Sequence, residues 1–388
     1  MNILYICTKD PRVVTGGNEQ RTNNLWHSLQ TLGKVYTIVY EAEGPITPVT
    51  EKGENPISFC STQYNKYYKT IRGAGYSFFE KYLEIGYLPY KFPLPHKPLN
   101  IYKGIIFDIV VARYIQMPLK YHFWDIAPLF VDIDDHPLQI FETTKKDLLP
   151  TFLQPIGLKF VMKMYEKAQK RMKGGWIANK DLLSYKYPNI KYLPNIPQVP
   201  SETYNAHNND RRYLFTIGMM SYPPNYLGVD KFIKEIWPDF HEKHPNVIYR
   251  IGGKGAPEDF ATKWNAVEGV EYCGFVSNLE DAYENCIASV VPIYSGGGTC
   301  IKTLESLAYS RGCLSTKFGV RGIDEKDVKE QNGLLLFSNA KSFISAYESI
   351  IADKNKTIEE GAYKFISQGE FSEQNFKEAV TEFILRGM

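Results

Sequence analysis

The stretch Val290–Glu305, VVPIYSGGGTCIKTLE, starts as an apolar run, passes through three glycines and ends in a pattern typical of a helix. Glycines at this point favour one of two structures. They supply the positive φ angles of a surface turn, or they leave the backbone bare so that an anion reaches the N–H groups at a helix start. If Val290–Tyr294 is a strand and Thr299 begins the helix, the second structure places a phosphate near Gly298.

Polar residues after the glycines fit such an anion. Thr299 is the predicted N-cap. Lys302 in the first turn would answer phosphate charge, and Glu305, about a turn deeper, would accept hydrogen bonds from a ribose diol. The alternative is that Lys302 and Glu305 form an ordinary surface ion pair. The loop and helix supply these predicted donor-binding residues: Gly296, Gly297, Gly298, Thr299, Cys300, Ile301, Lys302 and Glu305.

Elsewhere in the chain, short runs rich in Val, Ile, Tyr and Phe alternate with stretches of helical spacing. NILYIC, PLFVDID, YLFTIG and VIYRIGG are such runs, and NEQRTNNLWHSLQTLG has helical spacing. This alternation predicts βαβ units, and hence a doubly wound α/β architecture with parallel sheets. Because 388 residues exceed the usual size of one core, two such domains are expected.

The predicted domain boundaries follow composition. Residues 196–212 are rich in Pro, Asn and other polar residues and are predicted to link a domain of residues 1–195 to one of residues 213–370. Both domains are expected to be Rossmann-like and to face a cleft at the carboxyl ends of their strands. Residues 371–388 carry apolar side chains at helical spacing and are expected to form a closing helix that packs back on the N-terminal domain.

Composition limits the classes of partner. Lys and Arg total 45 against 43 Asp and Glu, so no overall field recruits nucleic acid. The six cysteines are scattered singly, which favours a reducing cytoplasm over a disulfide framework. MNILYICTKDP reads as a first strand and not as a signal peptide. No apolar run approaches the ~20 residues that span a bilayer, so a cytoplasmic protein, soluble or peripheral on the inner face of the plasma membrane, is expected.

The stretch Tyr64–Tyr102 is unusually aromatic, and its tyrosines are interleaved with Lys and Arg. Amphipathic rings and cations together suit a membrane interface with anionic headgroups. The alternative is a Tyr-rich cover over the N-terminal sheet.

Charged residues end two predicted strands of the N-terminal half. Arg113 ends VVAR, and Asp132, Asp134, Asp135 and His136 lie at the end of FVDIDDHP. Such groups are candidates for acceptor binding or proton transfer, with solvated loop charges as the alternative. The DID sequence also allows a divalent cation held against a diphosphate.

Several segments resemble, in order, the C-terminal domain of retaining glycosyltransferases of family 4, which have the GT-B fold. They are FTIGMMSYPPNYLGVDKFIKEIWPDF, GVEYCGFVSNLEDAY, VVPIYSGGGTCIKTLESLAYSRGCLSTKFGVRGID and NGLLLFSNAKSFISAY. The resemblance is close over Tyr213–Glu348 and loose in the N-terminal half. It implies a nucleotide sugar as donor in the C-terminal domain, an acceptor in the N-terminal domain, and no metal or other cofactor.

The resemblance also implies roles for single residues. Glu305 matches the second of two family glutamates and would bind the ribose, whereas Gly297 stands in place of the first. Lys302 would lie near the phosphates, and Gly218 joins the donor-binding set. The loop MMSYPPN after LFTIG lacks the usual basic pair, and Cys300 stands where a branch of the family often has Arg.

In the N-terminal half, Gly16 and Gly17 match the glycine loop that approaches donor and acceptor in this family. The family's usual histidine has no secure match, and His136 is the residue assigned to it. The predicted catalytic residues are Arg113, Asp135, His136, Lys302 and Glu305.

The function that follows is a hexosyltransferase-type reaction. A sugar moves, with retention, from a nucleotide diphosphate donor to a glycan or lipid-linked glycan, in bacterial surface polysaccharide biosynthesis. The alternative, favoured by the missing glutamate and basic pair, is a catalytically silent GT-B module that binds a sugar nucleotide or a partner enzyme.

Overall fold

The structure is a computed structural model of the 388-residue chain. It describes residues 1–14, 16–41, 53–61, 102–134, 136–141, 149–180, 183, 188–200, 211–295, 299–354 and 356–388. Among the predicted site residues, Asp135, Gly296, Gly297 and Gly298 lie outside the described residues. So do 64–101 of the aromatic stretch and 201–210 of the predicted linker.

The chain divides into two compact units, residues 1–194 with 374–388 and residues 195–373. Over the described residues, the first unit contains a seven-stranded parallel sheet in the order β3-β2-β1-β4-β5-β6-β7. Its strands are β1 Asn2–Cys7, β2 Lys34–Glu41, β3 Ile57–Ser61, β4 Ile109–Arg113, β5 Leu129–Asp134, β6 Gly174–Ile177 and β7 Ile190–Tyr192.

Helices connect these strands and cover the sheet. Over the described residues they are α1 Gly17–Gln30, α2 Gln116–Tyr121, α3 Pro137–Ile140, α4 Gln154–Gln169 and, from the end of the chain, α12 Glu373–Gly387. The apolar positions Phe376, Val380 and Ile384 of α12 are buried, and its Phe383 ring packs edge-on against Phe130 and Trp176 of the first unit's sheet.

The second unit contains a six-stranded parallel sheet in the order β10-β9-β8-β11-β12-β13. Its strands are β8 Tyr213–Ile217, β9 Ile248–Gly252, β10 Val270–Gly274, β11 Cys286–Val291, β12 Cys313–Ser315 and β13 Leu334–Leu336. Its helices are α5 Pro223–Glu235, α6 Trp237–Lys243, α7 Glu258–Asn265, α8 Leu279–Glu284, α9 Ile301–Ala308, α10 Ala340–Ala352 and α11 Thr357–Ser367.

The predicted doubly wound α/β class is confirmed, because both sheets are parallel and strands alternate with helices along the chain. One predicted boundary differs. The strand expected over Val290–Tyr294 ends at Val291, because Pro292 has no N–H to donate to a neighbouring strand.

Each sheet has one place where the strand order reverses direction. In the first sheet β1 lies between β2 and β4, and in the second β8 lies between β9 and β11. Loops leaving the carboxyl ends of two such neighbouring strands run apart and open a crevice, where α/β proteins bind their ligands. The loops after β1, β4, β8 and β11 are therefore the places to look for function.

Candidate active site

At the reversal point of the second sheet, Lys302 lies directly over Gly218. Gly218 follows β8, and Lys302 is in the first turn of α9, which follows β11. A Cβ atom on residue 218 would lie 2.5 Å from Cε of Lys302. A side chain at residue 218 would therefore displace the end of the Lys302 side chain from this position.

A second glycine keeps the same edge free of side chains. Gly253 follows β9 with φ at +128°, and a Cβ there would lie 1.6 Å from the carbonyl oxygen of Gly218. The amide of Met220 donates to the carbonyl of Lys254 at 2.8 Å, which ties the two loops together. Only glycine at position 253 permits this approach of the two backbones.

The helix that carries Lys302 begins one residue later than predicted. Cys300 is the N-cap of α9, with φ −78° and ψ 90°, and its side chain makes no capping hydrogen bond. Thr299 lies before the cap and is buried, so its predicted capping role is wrong. Because the first amides of a helix have no carbonyl to bond within it, those of Ile301 and Lys302 supply donors to whatever lies at this end.

Glu305 is the carboxylate of this site, and burial governs its charge. It is only partly exposed, and the loss of solvent raises its pKa to about 7. The ammonium of Lys302 and a 3.5 Å hydrogen bond from the hydroxyl of Tyr283 oppose that rise. Tyr283 is itself buried and stacks on Tyr309 with ring centroids 4.5 Å apart. Glu305 is therefore half ionised near neutral pH and able to accept further hydrogen bonds.

In the first unit, α1 begins after β1 with Gly16 as N-cap and Gly17 as its first residue. Gly16 makes no side-chain capping bond, and its φ of −174° is ordinary extended backbone. The glycine pair thus leaves the start of a 14-residue helix without a capping side chain. A Cβ atom on Gly16 would lie 3.2 Å from Oε2 of Glu19.

A buried set of ion pairs lies at the carboxyl ends of β4 and β5. Arg113 and Asp132 are neighbours across these strands, and neither is exposed. Nη1 of Arg113 bonds Oδ2 of Asp132, while Arg21 of α1 binds the same carboxylate through Nε at 2.8 Å and Nη2 at 2.6 Å. Burial acts to raise the pKa of Asp132, but the two guanidinium groups outweigh it and hold that pKa below its usual range.

Two strained residues complete this set. Tyr114 follows the end of β4 with a φ of +63°, and Asp134 is the last residue of β5 with a φ of +61°. Non-glycine residues rarely enter this region, and those that do cluster at functional sites. Nη2 of Arg113 bonds Asp134 at 3.1 Å, the hydroxyl of Tyr114 at 3.1 Å and Oδ1 of Asn18 at 2.7 Å. The Asp134 side chain is 15% exposed, so it is the carboxylate of the set that can meet a ligand.

His136 has a structural contact that limits its chemistry. Its Nδ1 accepts the amide of Leu138 at 3.1 Å and so caps α3. Its ring packs edge-on against Tyr165 at 4.5 Å. Burial lowers its pKa to about 4, so the imidazole is neutral at pH 7, and the catalytic role assigned to it stays a prediction.

The alternative of a metal at Asp132 and Asp134 conflicts with these ion pairs. Both oxygens of Asp132 already accept from guanidinium groups, and a divalent cation would have to displace them. No group of three or more metal-ligating side chains occurs among the residues that the structure describes.

Some of the residues predicted from the sequence lie together in the structure, and other residues of the two sites were not predicted. Gly218, Lys302 and Glu305 share one edge of the second unit, and Arg113 joins the first unit's set. The structure adds four residues that were not predicted: Asn18, Arg21, Tyr114 and Tyr283. A signal for Arg21 existed, since it lies four and eight residues before the buried Leu25 and Leu29 and therefore on the apolar face of α1.

Known proteins share the fold of this chain and, over one region, a family model. Residues 211–353 match the family model of glycosyl transferases group 1, and a comparison with curated proteins gives no match. Among solved structures, S. aureus TarM in complex with fondaparinux, alpha-GlcNAc-glycerol and UDP is similar at 15% identity and a TM-score of 0.53. That match covers 74% of this chain but only 57% of TarM, so this chain spans little more than half the length of TarM.

Two further structures match over nearly the full length. Anabaena Alr3699/HepE in complex with UDP has 11% identity and a TM-score of 0.60, and the match covers 100% of both chains. A trehalose-6-phosphate synthase studied for glycosyltransfer with retention has 11% identity and a TM-score of 0.60, covering 98% of this chain and 99% of that one. At these identities the matches establish the GT-B fold.

These matches define the fold of the chain and one of its domains. The fold is GT-B, as predicted, and residues 211–353 of the second unit match the family model of glycosyl transferases group 1. The resemblance expected over Tyr213–Glu348 is confirmed by the family match to residues 211–353. None of the helices that the structure describes is long and apolar enough to cross a membrane.

Proposed function

We propose that the protein transfers a sugar, with retention, from a nucleoside diphosphate sugar to a hydroxyl of a glycan or lipid-linked glycan. One observation carries the proposal: Lys302 crosses the bare backbone of Gly218 at a helix start that has no side-chain cap, with Glu305 a turn deeper. Lys302 and the first amides of α9 would bind the diphosphate, and the carboxylate of Glu305 would bind the ribose that follows it. The structures of TarM and HepE with UDP support uridine as the nucleoside.

In this mechanism the second unit stabilises the leaving group. The diphosphate gains negative charge as the glycosidic bond breaks, and pre-positioned donors that face it lower the barrier. Lys302 and the first amides of α9 act there, together with the glycine loop Gly296–Gly298. Glu305 accepts hydrogen bonds from the ribose hydroxyls, and Thr299, Cys300 and Ile301 shape the approach.

The first unit binds the acceptor in this proposal. Gly16 and Gly17 leave the start of α1 open, while Arg113 holds Asp134 at the end of β5, where its carboxylate can receive a hydroxyl of the acceptor. Asp135 and His136 are the further candidates on the same loop. We place the reaction in the cytoplasm, on the path to a bacterial surface polysaccharide, with the Tyr64–Tyr102 stretch in peripheral contact with the membrane.

Binding and turnover of uridine nucleotides test the proposal. UDP should raise the melting temperature, since a ligand that binds only the native state at 100 times Kd stabilises it by about 2.7 kcal/mol. Glu305→Gln should weaken UDP binding roughly ten- to a hundredfold by removing a charge-assisted contact. Lys302→Met should lower kcat and kcat/KM together. Lys234→Met and Glu258→Gln, on exposed faces of α5 and α7, are the matched controls.

The outcomes separate the alternatives. Hydrolysis or transfer from a panel of UDP-sugars that survives EDTA supports the proposal, whereas complete loss with EDTA would favour a cation at Asp132 and Asp134. UDP binding without turnover of any donor in the presence of glycan acceptors identifies a silent module. Unchanged UDP affinity in both site variants removes the donor site from α9.

A further inference from the structure

Arg21 contacts the main chain at the point where the chain leaves the first unit. That unit ends at Pro194 and resumes at Gln374. Nη1 of Arg21 donates to the carbonyl oxygens of Leu193 and Pro194, at 3.0 Å each. Both residues are buried and follow the end of β7. A buried carbonyl needs a hydrogen-bond partner, and Arg21 supplies one to each of these two.

The segment with which the chain returns to the first unit also contacts Arg21. Helix α12 begins at Glu373, and Phe376 in its first turn is buried. Cζ of Arg21 lies 5.9 Å from the centre of the Phe376 ring, within the range of a cation–π contact. One guanidinium group of the first unit therefore contacts both passages of the chain between the units, the one after Pro194 and the one before Gln374.

The same guanidinium binds the carboxylates at the end of β5. Nε and Nη2 of Arg21 bond the two oxygens of Asp132, and Nε lies 3.6 Å from Oδ1 of Asp134. The side chains of Arg21 and Asp132 are 1% and 0% exposed, so water does not compete for these bonds. A two-point bond between guanidinium and carboxylate fixes the plane of the guanidinium. The two chain passages and the end of β5 are thus held relative to one another.

Charge balance alone does not account for the contacts of Arg21. Two buried or half-buried carboxylates need a second cation beside Arg113, and an ammonium group would supply that charge. A guanidinium has further donors that point away from the carboxylate. In Arg21 those donors reach carbonyls that are 172 and 173 residues distant in sequence. The arginine therefore links parts of the chain that a lysine at this position would leave unconnected.

We propose that Arg21 is a positioning residue, which attaches both passages of the chain to the end of β5 and thereby holds Asp134 in its strained conformation. A residue with a φ of +61° keeps that conformation only where its surroundings enforce it. The part of Asp134 in acceptor binding rests on the proposed function, whereas its attachment through Arg21 depends on no reaction. The donor site on α9 is independent of Arg21.

Hydrogen exchange of the full chain, followed by mass spectrometry, tests the attachment without a substrate. The amide of Leu193 donates to the carbonyl of Ile177, and the amide of Ala178 donates to the carbonyl of Asp134 at 2.9 Å. Their exchange rates report local opening at the chain passage and at the end of β5. In Arg21→Lys both amides should exchange about tenfold faster or more, the equivalent of one lost hydrogen bond to a charged group. The amides of β1 should change far less.

A matched variant and the wild type supply the controls. Arg171→Lys, at an exposed arginine of the same unit, should exchange like the wild type. In the wild type itself, the Leu193 amide should exchange nearly as slowly as the amides of β1, a measurement that decides the question even if Arg21→Lys does not fold. UDP affinity should be equal in all three proteins. With a methyl glycoside that the wild type glycosylates, Arg21→Lys should raise the acceptor KM roughly three- to tenfold.

Three results would overturn the proposal. They are rapid exchange of the Leu193 amide in the wild type, unchanged exchange in a folded Arg21→Lys protein, and an equal acceleration of the Leu193, Ala178 and β1 amides, which would mean that Arg21 only stabilises the unit as a whole. An unchanged acceptor KM, or no turnover of any donor, beside the expected exchange rates would support the positioning of Asp134 and refute its part in the proposed function.

Discussion

Replacing Glu305 by glutamine should stabilise the ligand-free protein while weakening its binding of UDP. In the folded chain, burial raises the pKa of Glu305 from an ordinary value of 4.5 to about 7. The folded state therefore holds a proton that the unfolded state gives up between these two pH values. By linkage, the stability due to this group is fully present below pH 4.5 and is lost as pH rises toward 7. A glutamine never carries the charge and escapes the loss.

The size of the effect follows from the pKa shift. A difference of about 2.5 pH units corresponds to roughly 3.4 kcal/mol when the carboxylate is fully ionised. Partial exposure of Glu305 and the penetration of water reduce this to about 1–2 kcal/mol at pH 8. At pH 4.5 and below, the variant and the wild type should differ little. For a unit of this size such a change raises the melting temperature by a few degrees.

Urea denaturation at pH 4.5, 6, 7 and 8 measures the difference, with the second unit's transition followed. The stability gained by Glu305→Gln should grow with pH, whereas Glu258→Gln, an exposed carboxylate in the first turn of α7, should show no such trend. UDP titration at pH 7.5 on the same samples should show weaker binding by the first variant only. A destabilised Glu305→Gln protein at pH 8, or a gain that does not change with pH, would refute the reasoning.

Three further changes probe the contacts of the two sites. Gly218→Val should lower the turnover of UDP-sugars as Lys302→Met does, because the valine side chain takes the space of the Lys302 side chain. Wild-type rates in steady-state kinetics would contradict the close approach of Lys302 to Gly218. Tyr283→Phe removes a hydrogen bond that lowers the pKa of Glu305, so the pH dependence of UDP affinity should move to higher pH, as read by calorimetry across pH 6–9. Asp132→Asn leaves two buried arginines without their full countercharge and should cost about 3–5 kcal/mol in urea denaturation of the first unit, whereas a loss below 1 kcal/mol would mean that the ion pairs contribute little.

Much of the fold could be predicted from the sequence. Apolar runs such as NILYIC and YLFTIG coincide with β1 and β8 because strands buried on both faces are apolar at nearly every position. The short strands β7 and β12, three residues each, leave no comparable run. The end of β11 at Val291 follows from Pro292, a rule that could have been applied to the sequence.

In the candidate sites, residues close in sequence could be predicted to lie together and residues distant in sequence could not. The proximity of Lys302 and Glu305 was predictable, because both residues lie on one helix directly after the glycines. Arg21 and Asp132 are 111 residues apart in sequence, and nothing local joins them. Their pairing depends on the strand order of the first sheet, which places α1 beside the end of β5. The strain at Tyr114 and Asp134 is likewise a product of tertiary packing and leaves no trace in residue type.

The two sites differ in whether their polar groups already have partners. In the first unit two guanidinium groups face two carboxylates, and each guanidinium contacts both, so the set is neutral and rigid. Such a set suits a scaffold that holds Asp134 in place for a weakly bound hydroxyl. In the second unit the helix start has no capping side chain, and Glu305 is held at a pKa near 7 by burial. The amides at this helix start have no bond within the helix, so a ligand can bind them, and the stability lost in keeping them open is recovered on binding. This contrast favours the second unit as the place where a charged donor binds tightly.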